Sequence, residues 1–298
     1  MVEVQAMTKE KKKSKWPEPL IGKYFRAVVA NAYELRLWLE ALKAVHDMPT
    51  IIVDYGGIKV RQMDPSRVTA VHFEVDYYVF DEFDISLGDG EDIRLAVAID
   101  PILKLLRGVK RGTRRRPATR AEFGLNEEQK LWLRLYNGYS QEITFSPLEP
   151  DDDGTFSEIK IPFTAKITLD ARELLRAVKD LVKAFGAEFA RITIDSDGLH
   201  ITAENWDGHE FNATFRRYDE SVLDHKVDEP TTAIFDATEL LKLLKAGAKL
   251  ADIVEVELAT NKPVTSTSAI KRPRWNTLMS GLCSLLAICS LTGTRLTV

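Results

Sequence analysis

The chain has 298 residues, 45% of them hydrophobic and 29% charged, with a formal net charge of -4. That composition is globular and long enough for about two domains, and the acidic balance excludes a protein that coats nucleic acid with its whole surface. Two cysteines, Cys283 and Cys289, are too few to staple a secreted domain, so a reducing intracellular compartment is the default reading.

The N-terminal segment, Met1 to Gly22, carries Lys9, Lys11, Lys12, Lys13 and Lys15 with no apolar run after them, which reads as a solvated, disordered basic tail rather than a secretory signal. From Tyr24 the elements become legible. Phe25 to Ala30 is strand-like, and Asn31 suits the cap of a helix whose Leu35, Leu39, Leu42 and His46 follow the i, i+4, i+7, i+11 rule. Strands are predicted at Thr50 to Asp54 and Ile58 to Met63, joined by Tyr55-Gly56-Gly57, whose glycines allow a tight hairpin. Met63-Asp64-Pro65-Ser66 is a turn by composition, and Val71, Phe73 and Val75 alternate in the strand Val68 to Val75 that follows it. The chain continues through Tyr77 to Ser86, a strand at Asp92 to Ile99 and a short helix from Asp100 to Arg107. A basic loop follows, with Lys110, Arg111, Arg114, Arg115 and Arg116; such runs are more often solvated than ligand-binding. Strands resume at Thr119 to Leu125, Gln129 to Asn137 and Tyr139 to Pro147.

Leu148 to Ser157 has neither period and reads as an exposed connector. Beyond it the first half repeats. Asp170-Ala171-Arg172-Glu173-Leu174 answers Asn31-Ala32-Tyr33-Glu34-Leu35, and Ile192 to Leu199 answers Ile51 to Ile58. Leu241-Lys242-Leu243-Leu244-Lys245 answers Leu103-Lys104-Leu105-Leu106-Arg107, and the displacement along the chain is nearly the same in all three cases. Duplicated strand-rich halves with two helices each argue against a doubly wound parallel sheet.

The four helices share one chemistry. Arg172, Arg176, Lys179 and Lys183 form a stripe opposite Leu174, Val178, Leu181 and Val182. Lys242, Lys245 and Lys249 repeat it on the fourth helix, Lys104 and Arg107 on the second, with Arg111 if that helix runs so far, and Arg36 and Lys43 more weakly on the first. Lysine and arginine are good helix formers, so one such stripe is weak evidence. Four of them in an acidic chain suit a phosphate backbone that is attracted without being read.

In the order of its elements, in its Met63-Asp64-Pro65-Ser66 turn, its Leu39-Glu40-Ala41-Leu42-Lys43 helix and its Pro162-Phe163-Thr164-Ala165 run, the chain resembles the DNA sliding clamps of the proliferating cell nuclear antigen family, of the archaeal type, from about Tyr24 to Pro263. The resemblance implies an α+β fold of two duplicated clamp domains, with antiparallel sheets outside and two helices each inside, closing into a ring. It places domain 1 at residues 23–147, the connector at 148–160 and domain 2 at 161–263. It implies a processivity factor without cofactor or catalytic activity that encircles duplex DNA and works in the nucleoid or the nucleus. Its subunits form a homotrimer, or a heterotrimer with related clamps, joined between Tyr139–Pro147 and His209–Arg216. The DNA-facing role passes to the helix cations named above. Partners implied are a DNA polymerase, a clamp loader, a flap endonuclease and a DNA ligase, held through short peptides in a pocket at Met63, Val68, Ala70, Leu148, Phe156 and Pro263. An apolar floor beside an edge that accepts extended backbone is a known way to bind peptides.

Two readings depart from this picture. Asp151, Asp152 and Asp153 offer carboxylates for a magnesium-dependent DNA-processing enzyme, although an acidic triplet before glycine is more often a solvated turn, and an open, non-encircling scaffold is the other alternative. The stretch from Leu258 to Val298 contains no Asp or Glu at all. Its composition suggests a shifted reading frame, or a divergent tail, from residue 264 onward. Its apolar run Leu278 to Leu291 is shorter than the roughly 20 residues that span a bilayer. The expectation is therefore a domain 2 that lacks its last strands, an unpaired edge at Val68 to Val75, a client pocket short of one wall, and reduced stability.

Overall fold

The computed structural model describes residues 22–63, 69–113, 117–126, 128–150, 163–258, 264–269 and 283–289. Three antiparallel sheets carry the fold. The first, in the order β5-β1-β7-β8-β9, comprises Glu82–Ser86, Tyr24–Val29, Arg120–Leu125, Leu131–Tyr136 and Ser140–Phe145. The second runs β14-β10-β16-β17-β18-β4-β3-β2-β6 and has nine strands: Val222–Val227, Ala165–Asp170, Ile253–Leu258, Val264–Ala269, Cys283–Cys289, Thr69–Asp76, Gly57–Met63, Thr50–Asp54 and Ile93–Ala96. The third is β13-β12-β11-β15, from Glu210–Arg216, Gly198–Glu204, Phe189–Asp195 and Thr231–Asp236.

The helices are α1 (Ala32–Lys43), α2 (Ile99–Leu106), α3 (Ala171–Asp180), which continues as a π turn over Leu181–Phe185, and α4 (Ala237–Leu250). α1 stops at Lys43, so His46 lies past the helix, although its N–H still donates to Leu42 O at 2.9 Å. α2 starts one residue before the predicted Asp100 and ends at Leu106. Arg111 is consequently not on its stripe. The strand predicted over Asp92 to Ile99 is only Ile93–Ala96, because Pro101 with its fixed φ favours a helix start just before it.

Alternation explains the sheet faces. Leu131, Leu133 and Leu135 are all buried on β8, as are Val71, Phe73 and Val75 on β4. The apolar helix faces bearing Leu35, Leu39 and Leu42 or Leu174, Val178 and Leu181 pack onto the same core. A cavity of about 80 Å³ remains between α1 and the sheets, lined by Trp38, Leu39, Val60, Phe73, Phe123 and Phe145 among others. On the opposite face of the first sheet charges alternate strand by strand. Glu82, Arg26, Glu122, Arg134 and Glu142 form a chain of ion pairs, and Tyr136 donates its hydroxyl to Glu122 at 2.7 Å. Burial raises the Glu122 carboxyl, but the hydrogen bonds from Tyr136 and Arg26 outweigh it and hold its pKa below the usual range.

The duplication is visible at atomic detail. Gly57 and Gly198, at equivalent places in the two halves, each open the second strand of a hairpin at φ 135° and 145°. A Cβ at either would lie 2.1 Å from Val75 O or 2.0 Å from Phe215 O on the neighbouring strand. Only glycine fits there.

The expectation of missing strands is corrected. Residues 264–269 pair with β16, and residues 283–289 bridge from β17 to β4, with Cys283 opposite Val75 and Cys289 opposite Thr69. The edge at β4 is thus paired. The physical reason is that a ladder uses backbone groups, which loss of acidic side chains leaves intact, and that Val264-Thr265-Ser266-Thr267 and Leu285-Leu286-Ala287-Ile288 suit extended chain.

Two measurements check this architecture. Gly198→Ala should cost about 2 kcal/mol or more in urea unfolding, since strain and a backbone clash coincide. Deleting residues 264–298 should lower the melting temperature by at least about 4 °C, because it strips partners from both β16 and β4; an unchanged transition would refute the pairing.

Candidate nucleic-acid interface and partner pocket

Local sequence sets each helix. Asn31 Oδ1 accepts from Tyr33 N at 3.2 Å, Asp170 Oδ1 from Arg172 N at 2.8 Å, and Asp236 Oδ1 from Thr238 N and Glu239 N at 2.8 and 2.9 Å. Each of these helices has a glutamate in its first turn and a lysine in its last, matching the helix dipole. α1 packs against α2 on one side and α4 on the other, and α4 packs against α3, so the helices stand in the row α2-α1-α4-α3.

That row concentrates positive charge. The helices, the π turn and the cap Arg107 carry eleven cations against six carboxylates, in a chain whose net charge is -4. Lys104, Arg107, Arg172, Arg176, Lys179, Lys183, Lys242, Lys245 and Lys249 are exposed, whereas Arg36 and Lys43 are half-buried.

The cations divide by partner. Arg36 binds Glu40 at 2.8 Å and donates to the carbonyls of Arg107 and Val109, where it closes the C-terminal end of α2. Lys43 pairs with Asp100, which holds the lysine pKa above its usual value and the aspartate below it. Lys249 reaches from α4 to Glu40 on α1 at 2.7 Å. Arg172 binds Asp252 at 2.8 Å, Arg176 lies 3.9 Å from Glu173, and Lys242 lies 3.5 Å from Glu239. Among the described residues Lys104, Arg107, Lys179, Lys183 and Lys245 make no ion pair. Sequence spacing could reveal only the local pairs of Arg36, Arg176 and Lys242, since other partners are distant in the chain: 57 residues for Lys43 and Asp100, 209 for Lys249 and Glu40. Lys110 and Arg111, beyond α2, are exposed as expected of a solvated loop; Arg114, Arg115 and Arg116 lie outside the described residues.

The predicted peptide pocket is assembled in part. Leu148 exchanges two backbone hydrogen bonds with Ala96, of 3.0 and 3.3 Å. Ala96 is opposite Thr50, Thr50 N donates to Gln62 Oε1 at 2.7 Å, and the next residue, Met63, is opposite Ala70. Leu148, Met63 and Ala70 are therefore brought to one end of the nine-stranded sheet, with Leu148 44% exposed. Val68, Phe156 and Pro263 lie outside the described residues, as do Asp151, Asp152 and Asp153. Among the described residues no group of three or more His, Cys, Asp or Glu side chains is set to hold a metal ion, and no helix is long and apolar enough to cross a membrane.

The sequence reading missed one feature: Phe189, Trp206 and Ile234 stand exposed near one end of the third sheet. The tryptophan within Asn205-Trp206-Asp207-Gly208, a run of turn residues, was the available signal.

No protein-family model matches the chain. DNA polymerase sliding clamp 1 of Pyrobaculum aerophilum is 25% identical over 234 residues, which is 78% of this chain and 88% of that protein. The DNA polymerase sliding clamp of Pyrococcus abyssi is 25% identical over 240 residues, 80% of this chain and 90% of its own length. Among solved structures, proliferating cellular nuclear antigen from Entamoeba histolytica superposes with a TM-score of 0.74 at 19% identity, covering 89% of this chain and 98% of that one. At that identity the superposition speaks for the fold.

Glu40, bonded to both Arg36 and Lys249, gives a measurable pH dependence. Burial pushes its carboxyl up, but the hydrogen bonds from Lys249 and Arg36 outweigh that and leave it below the usual range. A depressed carboxylate pKa means that its stabilising effect is present above the ordinary glutamate value of about 4.3 and is lost as pH falls through the lower, folded-state value. Glu40→Gln should therefore reduce stability at pH 7 and make unfolding less acid-sensitive, as followed by urea titrations from pH 7 to pH 3.

Proposed function

We infer that this chain belongs to the DNA sliding clamps of the proliferating cell nuclear antigen family and that it serves as a processivity factor, a ring that encircles duplex DNA without sequence specificity. The relatives named above and the duplicated fold carry the family. The single observation that carries the mechanism is the continuous row of four helices whose solvent faces are cationic in an acidic protein. Phosphate contacts of this kind position a protein and carry no sequence information, which is what a sliding contact needs.

The DNA-facing residues are assigned in two classes. Lys104, Arg107, Lys179, Lys183 and Lys245 meet phosphate directly, since among the described residues no carboxylate is ion-paired with them. Arg36, Lys43, Arg172, Arg176, Lys242 and Lys249 share their charge with carboxylates and contribute mainly to the field and to the helix row. Exposed pairs of this sort are weak and exchange readily, so they soften rather than block the contact.

Assembly follows from the sheet edges. Among the described residues, β9 and β13 each end a sheet with one side unpaired. Joining β9 of one subunit to β13 of the next, within the expected Tyr139–Pro147 and His209–Arg216, removes both edges and closes a trimer of identical or related subunits. The domain limits expected from the sequence fit this scheme, with residues 264–269 and 283–289 added to the second domain. Met63, Val68, Ala70, Leu148, Phe156 and Pro263 form the site for short peptides of a polymerase, clamp loader, flap endonuclease and ligase. The archaeal relatives favour a nucleoid setting. They do not favour the magnesium-dependent enzyme.

The test is retention after loading. Replacing Lys104, Arg107, Lys179, Lys183 and Lys245 together by alanine should shorten residence on closed circular DNA and reduce the salt slope, by up to about 0.9 log units per log unit of salt for each phosphate no longer neutralised. The unaltered protein should leave linear DNA by its ends. Equal residence on linear and circular DNA would overturn encirclement.

A further inference from the structure

DNA encirclement leaves one surface of the third sheet unused. A groove of about 700 Å³ lies where the β12–β13 hairpin folds beside the start of β11. Its apolar surface is open, with Trp206 91% exposed, Phe189 52% and Ile234 46%. Its rim is acidic. Glu188, Glu204 and Glu210 line it and Asp207 adjoins Trp206, all exposed, while Arg191 is its one lining cation. Among the described residues none of the four carboxylates is in an ion pair. Exposed aromatics ringed by unpaired carboxylates fit a segment that carries an aromatic residue next to several cations.

The chain contains such a segment, Lys9-Glu10-Lys11-Lys12-Lys13-Ser14-Lys15-Trp16-Pro17, ahead of β1. Within one subunit β1 and β11 belong to sheets that share no strand pairing. Across the β9–β13 junction they become parts of one sheet. Phe25 is opposite Leu125, Leu125 opposite Leu131 and Leu131 opposite Phe145, so the start of β1 is level with the end of β9. With β9 and β13 antiparallel, like every strand pair described within the chain, Phe145 falls at the Glu210 end of β13, where the groove opens. From β1 to the neighbour's β12 is five strand steps, about 24 Å. The eight residues from Tyr24 back to Trp16 span up to about 27 Å when extended.

We propose that residues 9–17 of each subunit dock in the groove of the adjacent subunit, with Trp16 against Trp206 and Phe189 and the lysines on Glu204 and Glu210, as a strap across the subunit boundary. The inference rests on the assembly proposed above. It makes the basic segment a second, non-sheet contact between neighbours.

A photoreactive benzophenone amino acid in place of Trp16, in full-length protein mixed from isotope-labelled and unlabelled subunits, tests it, with native mass spectrometry reporting the assembly state. The expected result is crosslinks from position 16 of a labelled subunit to residues 186–191 or 202–212 of an unlabelled one. They should disappear when Lys11, Lys12, Lys13 and Lys15 are changed to Glu, and return when Glu204→Lys and Glu210→Lys are added. Assembled rings with no such crosslinks, or with crosslinks confined to the same chain, would overturn the strap and leave the assembly standing. A chain that stays monomeric at every concentration would overturn the assembly, and the strap with it.

Discussion

Backbone N–H and C=O groups at a sheet edge need partners, and in this molecule one such pairing links the two halves of the chain. The ladder between β18 and β4 joins strands from the two halves into a single nine-stranded sheet from β14 to β6. The rest of the architecture depends on it. A continuous sheet fixes the two halves relative to each other, and only then do α1 of one half and α4 of the other pack side by side in the helix row. Were the halves to pivot, the row would break between α1 and α4 into two separate pairs of helices.

The electrostatics of the row serve two ends that compete for the same residues. Lys249 and Arg36 converge on Glu40 and tie α4 to α1, so part of the positive charge is used to hold the wall together. Among the described residues Lys104, Arg107, Lys179, Lys183 and Lys245 are exposed and in no ion pair. An acidic protein thereby presents a local positive face without the non-specific stickiness of an overall basic surface. The alternating charges on the outer face of the first sheet are the complement, since Arg26 and Arg134 there are neutralised by Glu82, Glu122 and Glu142.

Much of this was legible in the sequence, for local reasons. Thr50 to Asp54 and Ile58 to Met63 were visible because alternation and paired glycines are short-range signals, and the cap Asn31 because its partner is two residues away. The nearly constant displacement between matching segments exposed the duplication without any knowledge of contacts. What stayed hidden was long-range. Nothing in the spacing of Lys43 or Lys249 announces Asp100 or Glu40, so the division of the cations into paired and unpaired emerged only with the fold. The strand pairing of residues 264–269 and 283–289 was missed for a different reason. Charge composition is a property of side chains at the surface, whereas strand addition draws on backbone and on residues such as Val264, Thr265 and Ile288 that tolerate extension. A change in the first is no evidence about the second.

The same ladder governs the order in which the molecule can be built. Cys283 meets Val75 although most of the chain lies between them. During synthesis β3 and β4 emerge early, and Val71, Phe73 and Val75, fully enclosed in the finished protein, belong to an edge that has no neighbour until almost the entire chain has left the ribosome. Pairings of such sequence separation form slowly, because the entropy of closing the loop is given up before any ladder hydrogen bond is made. The first half is thus a partly finished sheet until residues 283–289 are in place, so its folding is coupled to that of the strands supplied by the second half.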